Sequence, residues 1–448
     1  MRLWIGCAAL CVAGCVSRET SHARDVALEG IDRQDVWSEP PEAASSGAEG
    51  GDCLALASKI AAIHPKPRAA ESRARAGLAR SESVASMPAP IAQFQIWNFP
   101  VGDPATADTD GMYMIGVRQP IPVMAGKDGQ ARANAEMAQA DLAMGREMAR
   151  SIWHAAARAC IAWAVAEEIR AEWDAYEANL ADLRTAIGAA YAGSGATMLG
   201  DVARADAELA GAARRSLDLE QDARVAKETL AALGGPRLRL PEHAPALPTP
   251  APIEDEDATL ALALSRRGDA AAATALERSA EARADAADAI ADVPTFEVGA
   301  TYMQMPGARA GLSASVAMSL PWLWGESSSA HEAAVEDRKA ATAEREASVR
   351  DVAVDVRRAL AELQAAQRSH TLLVERVLPA ATRAVQAEQG SLGSASFSLT
   401  SWLLAEQMLL DTRLDEARAR GGIAGAWVDL TAATGGRLDV RKDSRGTR

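Results

Sequence analysis

Thr295-Phe296-Glu297-Val298-Gly299-Ala300-Thr301-Tyr302, then Leu312-Ser313-Ala314-Ser315-Val316-Ala317-Met318-Ser319-Leu320, then Pro321-Trp322-Leu323-Trp324-Gly325 make up the stretch that decides the fold. Phe296, Val298, Ala300 and Tyr302 alternate with Thr295, Glu297, Gly299 and Thr301, and Leu312 through Leu320 alternate in the same way. Period two with one apolar side predicts two strands of a sheet with one greasy and one wet face. After Gly325 the alternation stops. An Ala-rich polar run from 327 to 389 follows, interrupted only by Pro379. At 1.5 Å per residue a helix of that length reaches roughly 90 Å, too long for an ordinary globular core. Pro379 predicts a kink or a junction within it.

The same order stands in the first half. Phe94 and Ile96 alternate with Gln93 and Gln95, and Tyr113, Ile115 and Val117 with Met114, Gly116 and Arg118. Pro122-Val123-Met124-Ala125-Gly126 then leads into a proline-free run from 127 to 188, and Pro321 repeats that step 199 residues after Pro122. The helical runs break at Gly193-Ser194-Gly195 and at Gly390-Ser391-Leu392-Gly393, and end at Leu230 to Gly235 and at Leu430 to Gly436. Six prolines between 236 and 252 separate the halves and predict an extended connector. This is the pattern of a duplication.

Within the runs, Ile169, Trp173, Tyr176, Leu180, Leu183 and Ile187 alternate spacings of four and three. Val349, Val352, Val356, Leu360 and Leu363 repeat the pattern, with Val374 and Val377 resuming it, and Leu403, Leu410, Leu414 and Ala417 carry it on the return helix. An average spacing of 3.5 is the coiled-coil signature.

Composition agrees with long packed helices. Of 448 residues, 48% are apolar and only 4% aromatic, and the net charge is −14. Without a basic block, that acidity argues against a nucleic-acid partner. Beyond residue 16 there is no run of eighteen apolar residues, so no transmembrane helix is expected. Four strands, however, cannot close a membrane barrel, and open edges in lipid leave backbone groups unpaired. If these strands enter a membrane, copies of the chain must share one barrel. Alternation alone then turns Arg118 and Glu297 toward its lumen.

At the N-terminus Arg2 precedes an apolar stretch from Leu3 to Gly14, which has signal-peptide length. Val12-Ala13-Gly14-Cys15 looks like a bacterial lipobox, which implies a lipid on Cys15 and, with Val16 next, delivery to the outer membrane. Cys53 and Cys160 are then the one remaining pair, and no disulfide framework is implied.

The doubled strand-strand-helix-helix order and the proline-glycine step into each long helix resemble the TolC-like outer-membrane efflux proteins, lipid-anchored members included. The resemblance covers roughly 53 to 436, and Tyr191 to Leu199 looks like that family's helix-tip turn. It implies a mainly α fold with a small β part. As a homotrimer that becomes a 12-stranded barrel continued by an α-helical coiled-coil barrel through the periplasm. It also implies a passive exit duct, with no cofactor, that meets a periplasmic adaptor protein coupled to an inner-membrane transporter. The corresponding division of the chain is signal peptide 1–14, lipid-anchored segment 15–90, first repeat 91–235, linker 236–257, second repeat 258–436 and polar tail 437–448. A periplasmic coiled-coil adaptor or scaffold lipoprotein is the alternative. It would usually carry one helical hairpin between lipoyl-like and β-rich segments, which this sequence lacks.

No catalytic constellation is legible. The six histidines show no metal-ligand spacing, and neither HExxH nor CxxC occurs. The expected site residues are therefore structural: the lipid attachment at Cys15, tip turns at Gly193, Gly195, Leu199, Gly390 and Gly393, and gate charges at Asp201 and Glu388. The second tip, Ser394 to Thr400, carries no carboxylate of the kind that narrows the entrance in the resembling family. Met112 with Met114, and Met303 with Met305, fall on single strand faces. Thioethers suit monovalent copper, but strand methionines more commonly fill space, and no metal site is assigned. Trp322 and Trp324 end the last strand, where an interfacial aromatic girdle is expected.

Overall fold

The computed structural model describes residues 17–33, 52–97, 111–194 and 199–436, save 237, 252, 254, 306, 324 and 391–397. The elements in order are α1 (Arg18–Arg33), α2 (Cys53–Ile63), α3 (Pro65–Ala85), β1 (Ile91–Trp97), β2 (Met112–Ile121), α4 (Met124–Ser194), α5 (Leu199–Gly234), α6 (Glu256–Arg266) and α7 (Gly268–Ala291). There follow β3 (Phe296–Gln304), β4 (Gly311–Met318), a 3-10 turn (Pro321–Leu323), α8 (Glu326–Leu372), a π-turn (Leu373–Val377), α9 (Leu378–Gly390) and α10 (Leu399–Ala433). The chain is mainly helical with one small sheet, and α4 alone runs for 71 residues.

Two compact units divide these elements, and α4 and α8 contribute to both. The first unit contains α1, most of α3, the sheet, the first turns of α4, all but the first residue of α7, and the first half of α8. Its four strands form one antiparallel sheet in the order β1-β2-β3-β4. Below the sheet the helices pack on small residues. Ala23, Ala27 and Ile31 of α1 bury against Ala74 and Leu78 of α3 and Ala135, Ala138 and Leu142 of α4. α4 and α7 approach closely: a Cβ on Gly129 would stand 2.8 Å from Ala286 Cβ and 3.0 Å from the Ala282 carbonyl. Only glycine lets the two backbones come so near. Buried hydroxyls are satisfied across the same helices, Ser81 donating to the Ala131 carbonyl and Ser279 to the Ala133 carbonyl.

The second unit is built on the coiled-coil seam. Ile169, Tyr176, Leu180, Leu183 and Ile187 of α4 are buried together with Ala205, Ala212 and Leu219 of α5 and Leu403, Leu410, Leu414 and Ala417 of α10. Trp173 is partly buried beside them and meets Tyr176 edge-on at 5.6 Å. Val352, Val356, Leu360 and Leu363 of α8 are buried as well. The expected continuation at Val374 and Val377 fails, because both are exposed. The reason is the π-turn, in which the Leu378 N–H reaches back to the Leu373 carbonyl. Pro379 lacks an N–H and its ring crowds the carbonyl four residues earlier; the wider turn adds a residue and shifts the phase, so that Val374 and Val377 within it are exposed and Ala381 and Val385 resume the packing against Ala405 and Leu409 of α10.

Cys53 and Cys160 form a disulfide across 107 residues, with Cα atoms 5.5 Å apart, in a core with Ile60, Ile152, Trp163, Leu230 and Val428. The described residues of the proline-rich stretch form neither helix nor strand and are sewn to this core. Cys53 N–H donates to the Ala246 carbonyl at 3.2 Å, and Ala244 N–H donates to Glu167 at 2.9 Å. Glu167 in turn accepts from Trp163 Nε1 at 2.7 Å, and Lys227 lies over the Trp163 ring. No helix among the described residues is long and apolar enough to cross a membrane.

Candidate channel wall and helix tips

The register defines two faces of the sheet. Phe94, Ile115, Tyr302 and Leu312 lie in one row across all four strands, with Ala92, Val117, Ala300 and Ala314 in the next and Gln119, Val298 and Val316 beyond it. Ile121, Phe296 and Met318 end this face on one side, and Ile96, Tyr113 and Gln304 end it on the other. It is almost wholly apolar and open: Phe94 is 62% exposed, Ile115 61%, Leu312 79% and Val316 73%. An apolar sheet face normally packs on another layer, and no described residue of the chain covers this one.

The other face carries Gln93, Gly116, Thr301 and Ser313 in one row and Ile91, Arg118, Gly299 and Ser315 in the next. Gln93 Nε2 donates to Thr301 Oγ1 at 3.4 Å. Arg118 and Glu297 are on this polar side, and Arg118 Nη1 donates to Glu297 Oε1 at 3.1 Å. The face is crowded even without large side chains. A Cβ on Gly116 would stand 2.6 Å from Thr301 Oγ1, and one on Gly299 2.8 Å from Ser315 Oγ. The edges of β1 and β4 that face away from the sheet pair with no described strand.

The helix tips are placed in part. Gly193 is the penultimate residue of α4, and Leu199 opens α5 with 65% exposure. Gly390 closes α9. Gly195 and Gly393 lie outside the described residues, as do Cys15 and Trp324. Asp201 is half-buried in the first turn of α5, where a carboxylate suits the positive helix end. Glu388 is half-buried near the end of α9. Around the tips Arg204 donates to Thr400, and Arg184 pairs with Asp206 at 2.8 Å. Further in, Gln407 donates to Glu208 at 3.3 Å. Glu406 is buried, which pushes its carboxyl up against the opposing pull of Arg413 and Gln389. Burial likewise pushes the Tyr176 phenol up to about 12.

One polar cluster was not legible in the sequence. His154 Nε2 lies 2.7 Å from Asp429 Oδ1, and Arg158 is 3.7 Å from Oδ2. Burial pushes the Asp429 carboxyl up, but the His154 hydrogen bond and the Arg158 and Arg358 charges outweigh it and hold it below its ordinary value. Nearby, Arg267 is almost fully buried and donates to Asp355 and to the Ala433 carbonyl, while Arg150 donates to the Ala432 carbonyl. These two arginines satisfy the C-terminal carbonyls of α10. The residues come from α4, α8, α10 and the α6–α7 corner, so only the tertiary fold assembles them. Among the described residues no group of three or more His, Cys, Asp or Glu is placed to hold a metal ion.

A mainly helical chain with a small sheet is the fold this protein shares with several solved outer-membrane channels. Residues 259–436 match the sequence profile of the outer membrane efflux protein family, so the second half of the chain carries an outer membrane efflux protein domain. No curated protein matches the chain. Among solved structures, the outer-membrane channel OprN is 20% identical with a TM-score of 0.72, covering 90% of this chain and 92% of its own. The outer membrane protein VceC of Vibrio cholerae is 17% identical with a TM-score of 0.71, covering 86% and 96%. The open-state MtrE outer membrane channel of Neisseria gonorrhoeae is 17% identical with a TM-score of 0.71, covering 86% and 89%. At these identities the structural likenesses establish a shared fold. Together with the profile match they support an efflux channel role and an outer-membrane location; proteins of this family are passive channels, not enzymes.

Proposed function

We propose that the chain is one third of an outer-membrane exit duct that passively conducts what a periplasmic adaptor and an inner-membrane pump deliver. The observation that carries this reading is the sheet: four strands, an uncovered apolar face, and two edges without a described partner. An unpaired backbone group in hydrocarbon costs several kcal/mol, and membrane barrels start at about eight strands. Three copies, joined β1 to β4, supply 12 strands and turn the polar face with Arg118 and Glu297 inward.

On this reading 91–235 and 258–436 are the two repeats, 236–257 joins them, and 15–90 hangs from a lipid on Cys15 in the outer membrane. The turns between α4 and α5 (Gly193, Gly195, Leu199) and between α9 and α10 (Gly390, Gly393) are the periplasmic tips that meet the adaptor. Asp201 and Glu388, repeated three times, ring the entrance with negative charge. The test is electrical. Purified protein added to a planar lipid bilayer should give stepwise conductance at millimolar to molar salt; a protein that inserts yet conducts nothing overturns the duct.

A further inference from the structure

The register of the sheet gathers four methionines that the sequence holds in two distant pairs. Met114 of β2 stands directly opposite Met303 of β3. Tyr113 stands opposite Gln304, so one further step of the same antiparallel register sets Met112 across from Met305, just past the end of β3. All four share the parity of Arg118 and Glu297 and so belong to the polar face, at the end of the sheet farthest from the start of α4. Trp97 pairs with Met112 on its other side, and Gln95 with Met114.

Space-filling does not account for them. The row next to Met114 and Met303 is Gln93, Gly116, Thr301 and Ser313, and of the larger apolar residues of these four strands only Ile91 and Trp97 share this face with the methionines. Met112, Met114 and Met303 are half-buried and Met305 is exposed, so none of the four sits in a closed core. The spacing suits convergence. Directly opposed Cβ atoms stand about 5 Å apart, and residues two apart on a strand about 7 Å apart. Four unbranched arms with three torsions each rise from the corners of that rectangle. On the other side of Met303, the side-chain-free Gly311 takes up its methyl group, which lies 3.5 Å from where a Cβ would sit; the three torsions of the arm let it swing back over Met114 to meet an ion.

The chemistry of the donors selects the ligand. Thioether sulfur is neutral and soft, which favours monovalent d10 ions over Zn2+, Mg2+ or Ca2+. Arg118, two rows away, and Glu297, three rows away, are bound to each other, and the exposed Arg309 follows Met305 in the β3–β4 turn, where its charge can turn out to solvent. We propose that Met112, Met114, Met303 and Met305 form a binding site for a soft monovalent cation of the copper(I) or silver(I) kind. Held by neutral thioethers and no thiolate, the ion stays exchangeable. The site stands on the sheet alone and does not require that the chain conduct.

Silver(I) is the probe. The full-length protein, extracted in mild detergent and kept in chloride-free nitrate buffer, is titrated calorimetrically, and bound silver is counted by mass spectrometry after desalting. Wild type should bind at least one silver ion per chain more than the Met114→Leu/Met303→Leu variant, whose affinity at this site should fall at least tenfold. Met137→Leu, on α4, should bind as wild type does. Met305→Leu, at an exposed turn where folding is not at issue, should weaken binding about three- to tenfold. Zinc and calcium should leave no heat. If all these variants bind silver as wild type does, or if zinc competes equally, the site is overturned. Loss of binding of an apolar dye, with silver binding intact, would instead make the cluster an apolar contact surface and overturn it too.

Discussion

Arg118 of β2 and Glu297 of β3 meet at 3.1 Å on the polar face of the sheet, although 179 residues separate them. They are not directly opposed: Arg118 stands across from Gly299, and Glu297 across from Pro120. The arginine reaches diagonally over Gly299, where a Cβ would stand 3.0 Å from its Cγ. The two charges answer each other, and the wall at the pair is close to neutral.

Removing one partner should therefore change ion selectivity more than assembly. Glu297→Gln leaves Arg118 uncompensated on a wet wall, where a ring of cations favours anions. The expected outcome is a reversal potential shifted toward the anion side by a several-fold change in permeability ratio, with oligomer mass unchanged. A variant that no longer assembles while selectivity holds in the residual channels would place the pair in a packing role.

The Cys53–Cys160 bond closes a 107-residue separation in a fully buried core. A loop of that length corresponds to about 4.7 kcal/mol in the chain-entropy account, and removing such bridges typically costs about 2–5 kcal/mol. The Cys53→Ala/Cys160→Ala variant should unfold at clearly lower urea than wild type, and wild type with reductant should fall to the same midpoint only after unfolding. An unchanged midpoint would mean that the docked connector, from Leu238 to Leu247, holds α2 in place unaided.

Acid should loosen the His154–Asp429 contact. The Asp429 carboxyl is held below its ordinary value in the folded chain, so its contribution to stability is complete above about pH 4 and is lost as pH falls through the lowered value. Asp429→Asn should cost stability at pH 7 and narrow its gap to wild type at pH 2 to 3. Glu406 has the opposite sign. Its carboxyl is pushed up by burial, so wild type loses stability as pH rises through the carboxylate range. Glu406→Gln should gain on wild type between about pH 4 and neutrality. Urea titrations at several pH values check both.

Close helix contact makes Gly129 intolerant of a side chain. Alanine there meets Ala286 Cβ and the Ala282 carbonyl, which a backbone shift alone can relieve. The expected cost is about 1–3 kcal/mol, in spite of the better helix propensity of alanine. Gly422, in α10, has nothing within 4 Å of its Cβ position, and Gly422→Ala should be neutral or stabilising by about 1 kcal/mol or less. Thermal midpoints of the two variants moving in the same direction would contradict this account.

Local periodicity made much of the fold readable before any coordinates. Ile169 to Ile187 carry the seam because a 3.5 spacing leaves one face to bury, and Phe296 to Tyr302 read as a strand because period two leaves one greasy face. What depends on meeting partners far along the chain was not readable. Met114 opposite Met303, Arg118 beside Glu297, and His154 on Asp429 all follow from register or helix packing, which no local spacing encodes. Cys53 and Cys160 could be counted as the one remaining pair, but only packing brings α2 onto α4. Val374 and Val377 fall inside the π-turn just ahead of Pro379, whose missing N–H admits that turn and breaks the heptad phase there.

Everything proposed about the duct rests on a sheet too small to close by itself. Its most direct test is the mass of the full-length protein extracted from outer membranes in mild detergent, with the detergent share subtracted. The account predicts a particle of three chains, the number that completes a barrel of twelve strands from a sheet of four. A monomer confined to the soluble periplasmic fraction would contradict it, since four strands with an open apolar face would then have neither a barrel to close nor lipid to meet.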